Sequence, residues 1–451
     1  MKSNIKVSWD KWIRENLPYI IVFAIILIFE LIFYRPAHDE VALKKEFFHK
    51  YDSLTFSTVV SFLKGKFIRD VTGWSSRFLI NSVSNFLVLF PCLWYLINAL
   101  MFVLMYYSLV SLFETRDKDI YVLVFVLILS VPQVIFTSAG LLITTIAYFW
   151  PMACVSYLLS YICKKNRGLS VFSIAFSILA VLYAANEELI SAFLVIMLLY
   201  SIIAYKGFRR IIIPYEAISF AELIWALVSP GNSARSKAEL IWFADFNNLS
   251  LIKKIEMGFS STMNEFFLTN SLITVTFTAL LMITYFYNKK RNIFEKIIAT
   301  LPFGFALFGV MISDLATKYP RISDLYHCMT SYGSISVKNY GAKRSYLPVI
   351  LFVFFGGLIL ILTAALDDYS RNSIGVALAL LMSVGSRSMM GLSPTIWASG
   401  LRTFSVVYYT IVFALVWLLR QLRINGDKSL LYIIWLTYMS AVEIGGFIVA
   451  L

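Results

Sequence analysis

Residues 19–40 have the sequence YIIVFAIILIFELIFYRPAHDE, and this stretch decides the class of fold. The run at 18–34 is almost entirely apolar, and about 17–25 such residues cross the hydrocarbon core of a bilayer as a helix. The polar turn YRPAHDE follows directly, as expected where a chain leaves the membrane. The stretch therefore predicts a membrane-spanning helix followed by an acidic turn at the bilayer surface.

The composition of the whole chain agrees with a membrane protein. Its 451 residues are 59% hydrophobic and 14% charged, with a mean hydropathy of +0.77. Soluble domains carry about 25% charged residues, so a cytosolic enzyme, a disordered chain and a disulfide-stapled secreted domain are excluded. In a membrane protein, the net charge of +13 indicates basic cytoplasmic loops and contacts to lipid phosphates rather than nucleic acid.

Further apolar runs predict an all-α polytopic membrane protein with about 13 spanning helices, in a range of about 11–13. The runs lie at 18–34, 86–113, 120–136, 144–163, 169–187, 189–205, 211–229, 268–287, 297–315, 346–366, 374–386, 403–419 and 429–450. Short turns such as KKNRG at 164–168 and NKKRN at 288–292 are basic, which predicts that they and the N-terminus are cytoplasmic. The long segments 35–84, 230–267 and 316–345 then lie outside.

The acids Asp39 and Glu40 follow the first span closely. A carboxylate at the bilayer exit can act as a general base on a hydroxyl group. The alternative is a solvated interfacial pair beside Arg35 and His38.

The same external loop predicts interfacial amphipathic helices. Apolar residues recur at helical spacing from Phe56 to Ile68, with Lys64, Lys66 and Arg69 between them, as in a helix that lies among lipid head groups. The segment GWSSRF at 73–78 follows. Its Arg77 is a candidate contact for an anionic head group or an anchor for the next helix.

Two motifs contain aromatic or acidic residues at predicted outer ends of spans. TTIAYFWP at 144–151 contains Tyr148 and Trp150, which are typical of an interfacial aromatic belt. AANEELI contains Asn186, Glu187 and Glu188. Adjacent acids between apolar runs face a cavity or water, or form a short external turn.

Two further segments offer cations for a phosphate. In LVSPGNSARSKAEL at 227–240, a helix that begins after Asn232 would direct backbone N–H groups at an anion, with Arg235 and Lys237 beside it. Arg387 ends an apolar run, where an arginine needs a counter-charge. The sequence contains no Walker A loop, GxSxG elbow or His-rich metal cluster, so neither ATP-driven transport nor serine hydrolysis is expected, and no cofactor or metal.

Taken together, these motifs resemble the bacterial GT-C-type membrane glycosyltransferases, in particular the serotype-converting glucosyltransferases that modify the O-antigen of lipopolysaccharide. The resemblance covers roughly residues 1–240 in motif order and the remainder in hydropathy. The matching segments are Asp39-Glu40, Trp74 to Phe78, Thr145 to Pro151, Asn186-Glu187, Pro230 to Arg235 and Arg387-Ser388. The family has Asp at the first acidic position, as here, whereas Glu40 departs from a metal-binding Asp-x-Asp pattern.

The resemblance implies an inverting hexosyltransferase that uses a polyprenyl-phosphate sugar at the outer face of the bacterial cytoplasmic membrane. It implies Asp39, with Glu40, as the catalytic acids and Arg235, Arg387, Arg77 and Lys237 as contacts of the donor phosphate. The implied substrate-binding residues are Trp74, Tyr148, Trp150, Asn186, Glu187 and Asn232. We expect one membrane-embedded unit with a catalytic half, 1–240, and a C-terminal half, 241–451.

The implied acceptor is a lipid-linked cell-envelope polysaccharide, and the implied companions are a small flippase and a polyprenyl-phosphate glycosyltransferase. Two other functions stay open at this point. One is a transporter or flippase of lipid-linked saccharides, which predicts charges at midplane and internal repeats. The other is a polysaccharide polymerase or ligase, which resembles this chain less because the early loop is acidic rather than rich in Arg and His.

Overall fold

The computed structural model describes residues 2–113, 118–163, 170–269, 271–330, 346–422 and 427–450, and every regular element in these ranges is a helix. The first nine α-helices are α1 Lys2–Phe33, α2 His38–Lys50, α3 Phe56–Gly73, α4 Phe78–Leu89, α5 Pro91–Val110, α6 Lys118–Leu129, α7 Leu141–Thr144, α8 Trp150–Cys163 and α9 Val171–Ala185. The others are α10 Glu188–Ala204, α11 Arg209–Val228, α12 Pro230–Ala238, α13 Leu251–Phe267, α14 Leu272–Tyr287, α15 Ile293–Lys318, α16 Pro320–Thr330, α17 Tyr346–Ala365, α18 Arg371–Ser388, α19 Ser405–Gln421 and α20 Asp427–Ala450. The predicted all-α class is confirmed.

Nine helical segments within the described residues are long and apolar enough to cross a membrane, so the chain is a multi-pass membrane protein. They are Glu15–Phe33, Pro91–Val110, Leu141–Cys163, Lys206–Val228, Ile293–Lys318, Tyr346–Ala365, Arg371–Leu392, Gly400–Gln421 and Leu431–Ala450. Helices α13 and α14 meet at a bend of 77° and would together make a tenth crossing.

The other predicted spans correspond to shorter helices. The runs at 169–187 and 189–205 form α9 and α10, and the run at 120–136 forms α6 and a 3-10 turn, Gln133–Phe136. The count of about 13 spans stays a prediction. Of the turns predicted to be cytoplasmic and the loops predicted to be external, residues 115–117, 164–168, 331–345 and 423–426 lie outside the described residues.

The chain divides into two compact units. Unit 1 comprises Met1–Ile68, Phe78–Ala184 and Gly426–Leu451, and unit 2 comprises Arg69–Arg77 and Ala185–Asn425. These units do not coincide with the halves 1–240 and 241–451, because the segment Arg69–Arg77 belongs with residues that follow 184.

Unit 1 is built around the segment Leu141–Cys163. Of its apolar window, 89% is buried inside the protein, against 17% for Glu15–Phe33, so most of the first span is not covered by the described part of the chain. A π-helical turn, Thr145–Phe149, interrupts the buried segment. Helices α1 and α8 both pack on α5, and α2 and α4 pack near the start of the segment.

The segments 38–50 and 56–73 that follow the first span are helical, as the amphipathic spacing predicted for the second of them. On α3, Val59 and Phe62 are buried, while Phe56 and Phe67 are exposed. The ring of Phe62 packs against that of Phe47 on α2, with centroids 5.2 Å apart. Part of the apolar surface of α3 thus packs against protein, and part of it is exposed.

Unit 2 packs α10 against α11 and α18, and α18 against α13, α17 and α19. One close backbone approach in unit 2 joins α13 to the 3-10 turn Met389–Leu392. A Cβ atom at Gly258 would lie 1.9 Å from the carbonyl oxygen of Ser388, and one at Gly391 would lie 1.9 Å from that of Lys254. Backbone therefore contacts backbone there, which only glycine allows.

Candidate functional site

Two clusters of polar groups, one in each unit, contain four of the predicted site residues, namely Arg77, Glu187, Asn232 and Glu40. The Arg77 cluster, in unit 2, consists of Ser76, Arg77, Glu187, Glu188 and Asn232. The Glu40 cluster, in unit 1, consists of the Glu40 side chain, the Tyr34 hydroxyl and the backbone N–H groups of Ala37, Leu142 and Ile143.

The Pro-Gly turn positions the first of these clusters. Helix α12 begins at Pro230 rather than after Asn232, because proline at the first helical position needs no hydrogen-bond acceptor for its nitrogen. Gly231 then lies against the segment 70–75, where a Cβ atom would be 2.6 Å from the nitrogen of Ser75. This contact brings Asn232 and the WSSR segment together across 156 residues of sequence.

The side-chain amide of Asn232 joins three segments of the chain through hydrogen bonds. Its Oδ1 accepts a hydrogen bond from the N–H of Ser76 at 3.0 Å. Its Nδ2 donates to the Oγ of Ser76 at 3.0 Å and to the carbonyl oxygen of Ala226 at 2.9 Å. The Oγ of Ser76 donates in turn to Oε1 of Glu188 at 2.6 Å. The amide therefore fixes the start of α12 to the segment 69–77 and to α10.

Arg77 lies between the two acids of the AANEELI motif. Its Nη2 forms an ion pair with Oε1 of Glu187 at 3.0 Å, without hydrogen-bond alignment, and its Nε donates to Oε2 of Glu188. Glu187 is fully buried, and its Oε2 caps α10 by accepting from the N–H of Ile190 at 2.9 Å. Burial raises the pKa of Glu187 above its ordinary value, and the Arg77 charge opposes this rise. The guanidinium of Arg77 thus interacts with two carboxylates.

Arg235, which is half-buried, and Trp74, which is exposed, form a pair beside the Arg77 cluster. The Arg235 guanidinium carbon lies 5.5 Å from the centroid of the Trp74 ring, and its Nε donates to Oε1 of Glu239 at 3.1 Å. Trp74 is 45% exposed. The terminal nitrogens of Arg235 have no hydrogen bond within the described part of the chain. Lys237 is exposed on the same helix. This pair offers a cation and an aromatic face together.

Two other predicted residues of unit 2 are enclosed by protein. Asn186 is buried and donates from Nδ2 to Oε2 of Glu222 at 3.2 Å. Arg387 is 1% exposed, its guanidinium carbon is 4.0 Å from the Phe404 ring centroid, and its charge acts on Glu265. Arg387 has the counter-charge that its position within a span requires.

In unit 1 the two acids of the turn after the first span have different surroundings. Asp39 is exposed, whereas Glu40 is fully buried. Oε1 of Glu40 accepts from the N–H of Leu142 at 2.7 Å, and Oε2 accepts from the hydroxyl of Tyr34 at 3.0 Å. Burial raises the pKa of Glu40, and these hydrogen bonds oppose the rise. Asp39 is therefore the member of the pair that a solute can reach.

Tyr148 and Trp150 lie inside unit 1 rather than on its surface, at 7% and 4% exposure. Nε1 of Trp150 donates to Oδ1 of Asn98 at 2.6 Å, and Nδ2 of Asn98 donates to Oε1 of Glu30 at 2.5 Å. Sequence reasoning missed Asn98 and Glu30. Each is a lone polar residue within a predicted span, and that is the signal that could have found them.

Ser76 was also missed, because a serine in a WSSR segment has no distinctive sequence signal. Among the described residues, no group of three or more His, Cys, Asp or Glu side chains could hold a metal ion.

No protein-family model matches the chain, and neither a curated protein nor a solved structure matches it. Among the four candidate phosphate contacts, Arg77 is engaged by two acids and Arg387 is enclosed. Arg235 is half-buried and ion-paired with Glu239, and Lys237 is exposed, so these two keep part of their surface accessible.

Proposed function

We propose that the chain is a glycosyltransferase that moves a sugar, glucose or another hexose, from a polyprenyl-phosphate donor to a hydroxyl group. The acceptor would be a lipid-linked O-antigen or another cell-envelope polysaccharide at the outer face of the cytoplasmic membrane. The observation that carries the proposal is the Arg235–Trp74 pair. A guanidinium binds phosphate oxygens through paired N–H groups, and an indole face packs on a sugar ring, so the pair fits a sugar phosphate.

The proposed reaction assigns Asp39 as the general base. Its carboxylate takes the proton of the acceptor hydroxyl while the hydroxyl oxygen bonds to the anomeric carbon. The bond between that carbon and the phosphate oxygen breaks, so the sugar is transferred with inversion and polyprenyl phosphate leaves. Asp39 suits this role because it is exposed and follows the first span by six residues.

The leaving phosphate gains negative charge as its bond to the sugar breaks, and fixed donors lower the energy of that charge most effectively. We assign this contact to Arg235, with Lys237 as an additional cation. We assign Arg77 no direct contact with the phosphate. It supports the site by binding the carboxylates of Glu187 and Glu188. Arg387 and Glu40 are enclosed and are assigned no contact with substrate.

Transport of a lipid-linked saccharide is the second candidate function. It is favoured by ionisable side chains buried within candidate spans, namely Glu30 and Arg387, which transporters use along substrate or proton pathways. The segments that the motifs occupy favour the transferase, because Asp39, Trp74 and Arg235 all lie between spans.

A transfer assay with the purified chain in lipid nanodiscs tests the proposal. The substrates are polyprenyl-phosphate hexoses and the host's lipid-linked polysaccharide, and the products are glycosylated acceptor and free polyprenyl phosphate. We expect Asp39→Asn to abolish transfer, whereas Asp52→Asn, at an exposed acid of the same loop, leaves it unchanged. An active Asp39→Asn enzyme would overturn the assignment.

The donor site has a separate test. Arg235→Ala should weaken donor binding about 10- to 100-fold. The donor affinity of Arg235→Lys should lie between those of Arg235→Ala and the unmodified protein, because an ammonium group lacks the paired N–H donors of a planar guanidinium. In cells, deletion of the gene should remove one side-branch sugar from the envelope polysaccharide. An unchanged glycan with an altered distribution of the lipid carrier would instead support transport.

A further inference from the structure

The Glu40 carboxylate joins two parts of unit 1 that are distant in sequence. Oε2 accepts from the Tyr34 hydroxyl at 3.0 Å and from the N–H of Ala37 at 3.4 Å. Oε1 accepts from the N–H groups of Leu142 and Ile143 at 2.7 and 3.4 Å. The turn after the first span is thereby fixed to the first turn of the segment Leu141–Cys163. Those N–H groups lack partners within the helix, and its dipole favours a carboxylate.

The residues around the carboxylate fit it closely. Gly140 has a φ of +98°, and a Cβ atom there would lie 2.4 Å from Oε1 of Glu40. Glycine is therefore required both by the backbone angle and by the approach of the carboxylate. Tyr34 is 5% exposed and packs against Trp94, with ring centroids 4.9 Å apart, so its hydroxyl is held in place.

Asp39 directly precedes Glu40 in the turn that these hydrogen bonds hold. It is exposed, and the preceding residue, His38, has a φ of +45°. A residue other than glycine keeps such an angle only where its surroundings hold it. The contacts of Glu40 with Ala37 and with the segment 140–143 supply that restraint on both sides of His38 and Asp39.

We propose that Glu40 is a positioning residue that holds the turn 37–40 so that the Asp39 carboxylate is presented in one orientation. This inference rests on the proposed function, in which Asp39 is the general base. Glu40 acts through the backbone, because it is fully buried and its four partners are all hydrogen-bond donors from the protein.

The first test measures the conformation of the turn 37–40 and does not depend on sugar transfer. Nitroxide labels are attached at Asp39→Cys and Val171→Cys in the full-length chain in nanodiscs, with the native cysteines replaced, and their distance distribution is measured by pulsed electron paramagnetic resonance. Val171 is 85% exposed in unit 1 and accepts a label. Glu40→Ala and Gly140→Ala should broaden the distribution. Glu40→Gln should keep it narrow, because its amide oxygen still accepts from Leu142.

Glu46→Ala is the matched control. Glu46 lies on the same helix and pairs with Lys66 at 2.5 Å, so this change removes a carboxylate of α2 without touching the turn 37–40. Its distribution should match that of the unmodified chain. An equally narrow distribution in Glu40→Ala would overturn the inference, and size-exclusion profiles show whether each variant is folded.

The second test uses the transfer reaction. Glu40→Ala should lower kcat about 10- to 100-fold, since a small misplacement of a reacting group costs that much, while KM for the donor changes little. Glu40→Gln should recover most of the rate. If Glu40→Gln is as inactive as Asp39→Asn, Glu40 takes part in the chemistry and the inference is overturned. If the unmodified protein transfers no sugar, the proposed function fails, and the distance distributions still decide whether Glu40 holds the turn.

Discussion

The Glu40 cluster and the Arg77 cluster hold buried carboxylates in opposite ways. Glu40 has no cation among its hydrogen-bond partners and is held by neutral N–H and O–H donors. Glu187 and Glu188 share one guanidinium, with a serine hydroxyl and a helix N–H in addition. Because only the second cluster contains a cation, the two clusters should respond differently to substitution and to pH. A neutral replacement should be tolerated at Glu40 but not at Arg77.

The largest effect is expected for Arg77→Ala. It leaves two carboxylates without their counter-charge, and breaking a buried ion pair from one side costs about 3–5 kcal/mol. The free energy of unfolding, measured by SDS titration in mixed micelles, should fall by that amount. Arg69→Ala is the control, since Arg69 is 57% exposed and its pair with Asp70 is 4.0 Å long. Equal stabilities of the two variants would remove the contrast between the clusters.

The next largest effect is expected for Gly140→Ala, which should lower the free energy of unfolding by about 2–3 kcal/mol. Alanine is strained at positive φ, and its methyl group would displace the Glu40 carboxylate. Gly65→Ala, where a Cβ atom meets nothing within 4 Å, should instead be neutral or slightly stabilising in α3. The same titration measures both. A Gly140→Ala chain as stable as the Gly65→Ala chain would show that the carboxylate is not tightly enclosed.

Asn232→Ala should cost about 1–3 kcal/mol, since it leaves the Ser76 N–H and the Ala226 carbonyl without their partner. Ser233→Ala, at the exposed neighbouring position, should have little effect. The share of the tryptophan fluorescence that Trp74→Phe removes, among the ten tryptophans of the chain, adds a local measurement, because loss of the Asn232 amide frees the segment that carries the indole. An unchanged spectrum together with unchanged stability would contradict the role given to Asn232.

The smallest effect expected is the pH dependence contributed by Glu40. Burial raises its pKa above the ordinary value of 4.5, so the folded state favours the protonated carboxyl. The contribution of Glu40 to stability is therefore complete below about pH 4.5 and is lost as the pH rises through the folded-state pKa. Melting temperatures from pH 4 upward should fall less steeply in Glu40→Gln, which cannot ionise. Identical slopes would assign the dependence to other groups.

Much of the fold could be predicted from the sequence, because membrane spans depend on local composition. Apolar runs identified all nine long helices, and period and spacing identified the amphipathic α3. The sequence could not indicate which spans face lipid and which face protein, since both surfaces are apolar. Tyr148 and Trp150 were expected at head-group depth for this reason, and they lie inside unit 1.

The sequence singled out several residues that meet in the structure, but not the partners that they meet. Trp74, Glu187 and Asn232 were singled out separately, and their convergence depends on packing between segments more than 100 residues apart. The acids Asp39 and Glu40 are adjacent in sequence, yet successive positions of a helix point in different directions. Which of the two becomes buried depends on Gly140 and Tyr34, and no local spacing signals that contact.

The π-helical turn Thr145–Phe149 has a consequence for the evolution of the chain. Such a turn contains one residue more than an α-helical turn, and one residue rotates everything that follows by about 100° around the helix axis. A relative lacking a single residue there would carry Trp150 on another face, away from Asn98. Chain length in this turn is thus constrained as firmly as residue identity. Among relatives, a one-residue deletion between 145 and 149 should coincide with loss of the Trp–Asn pair.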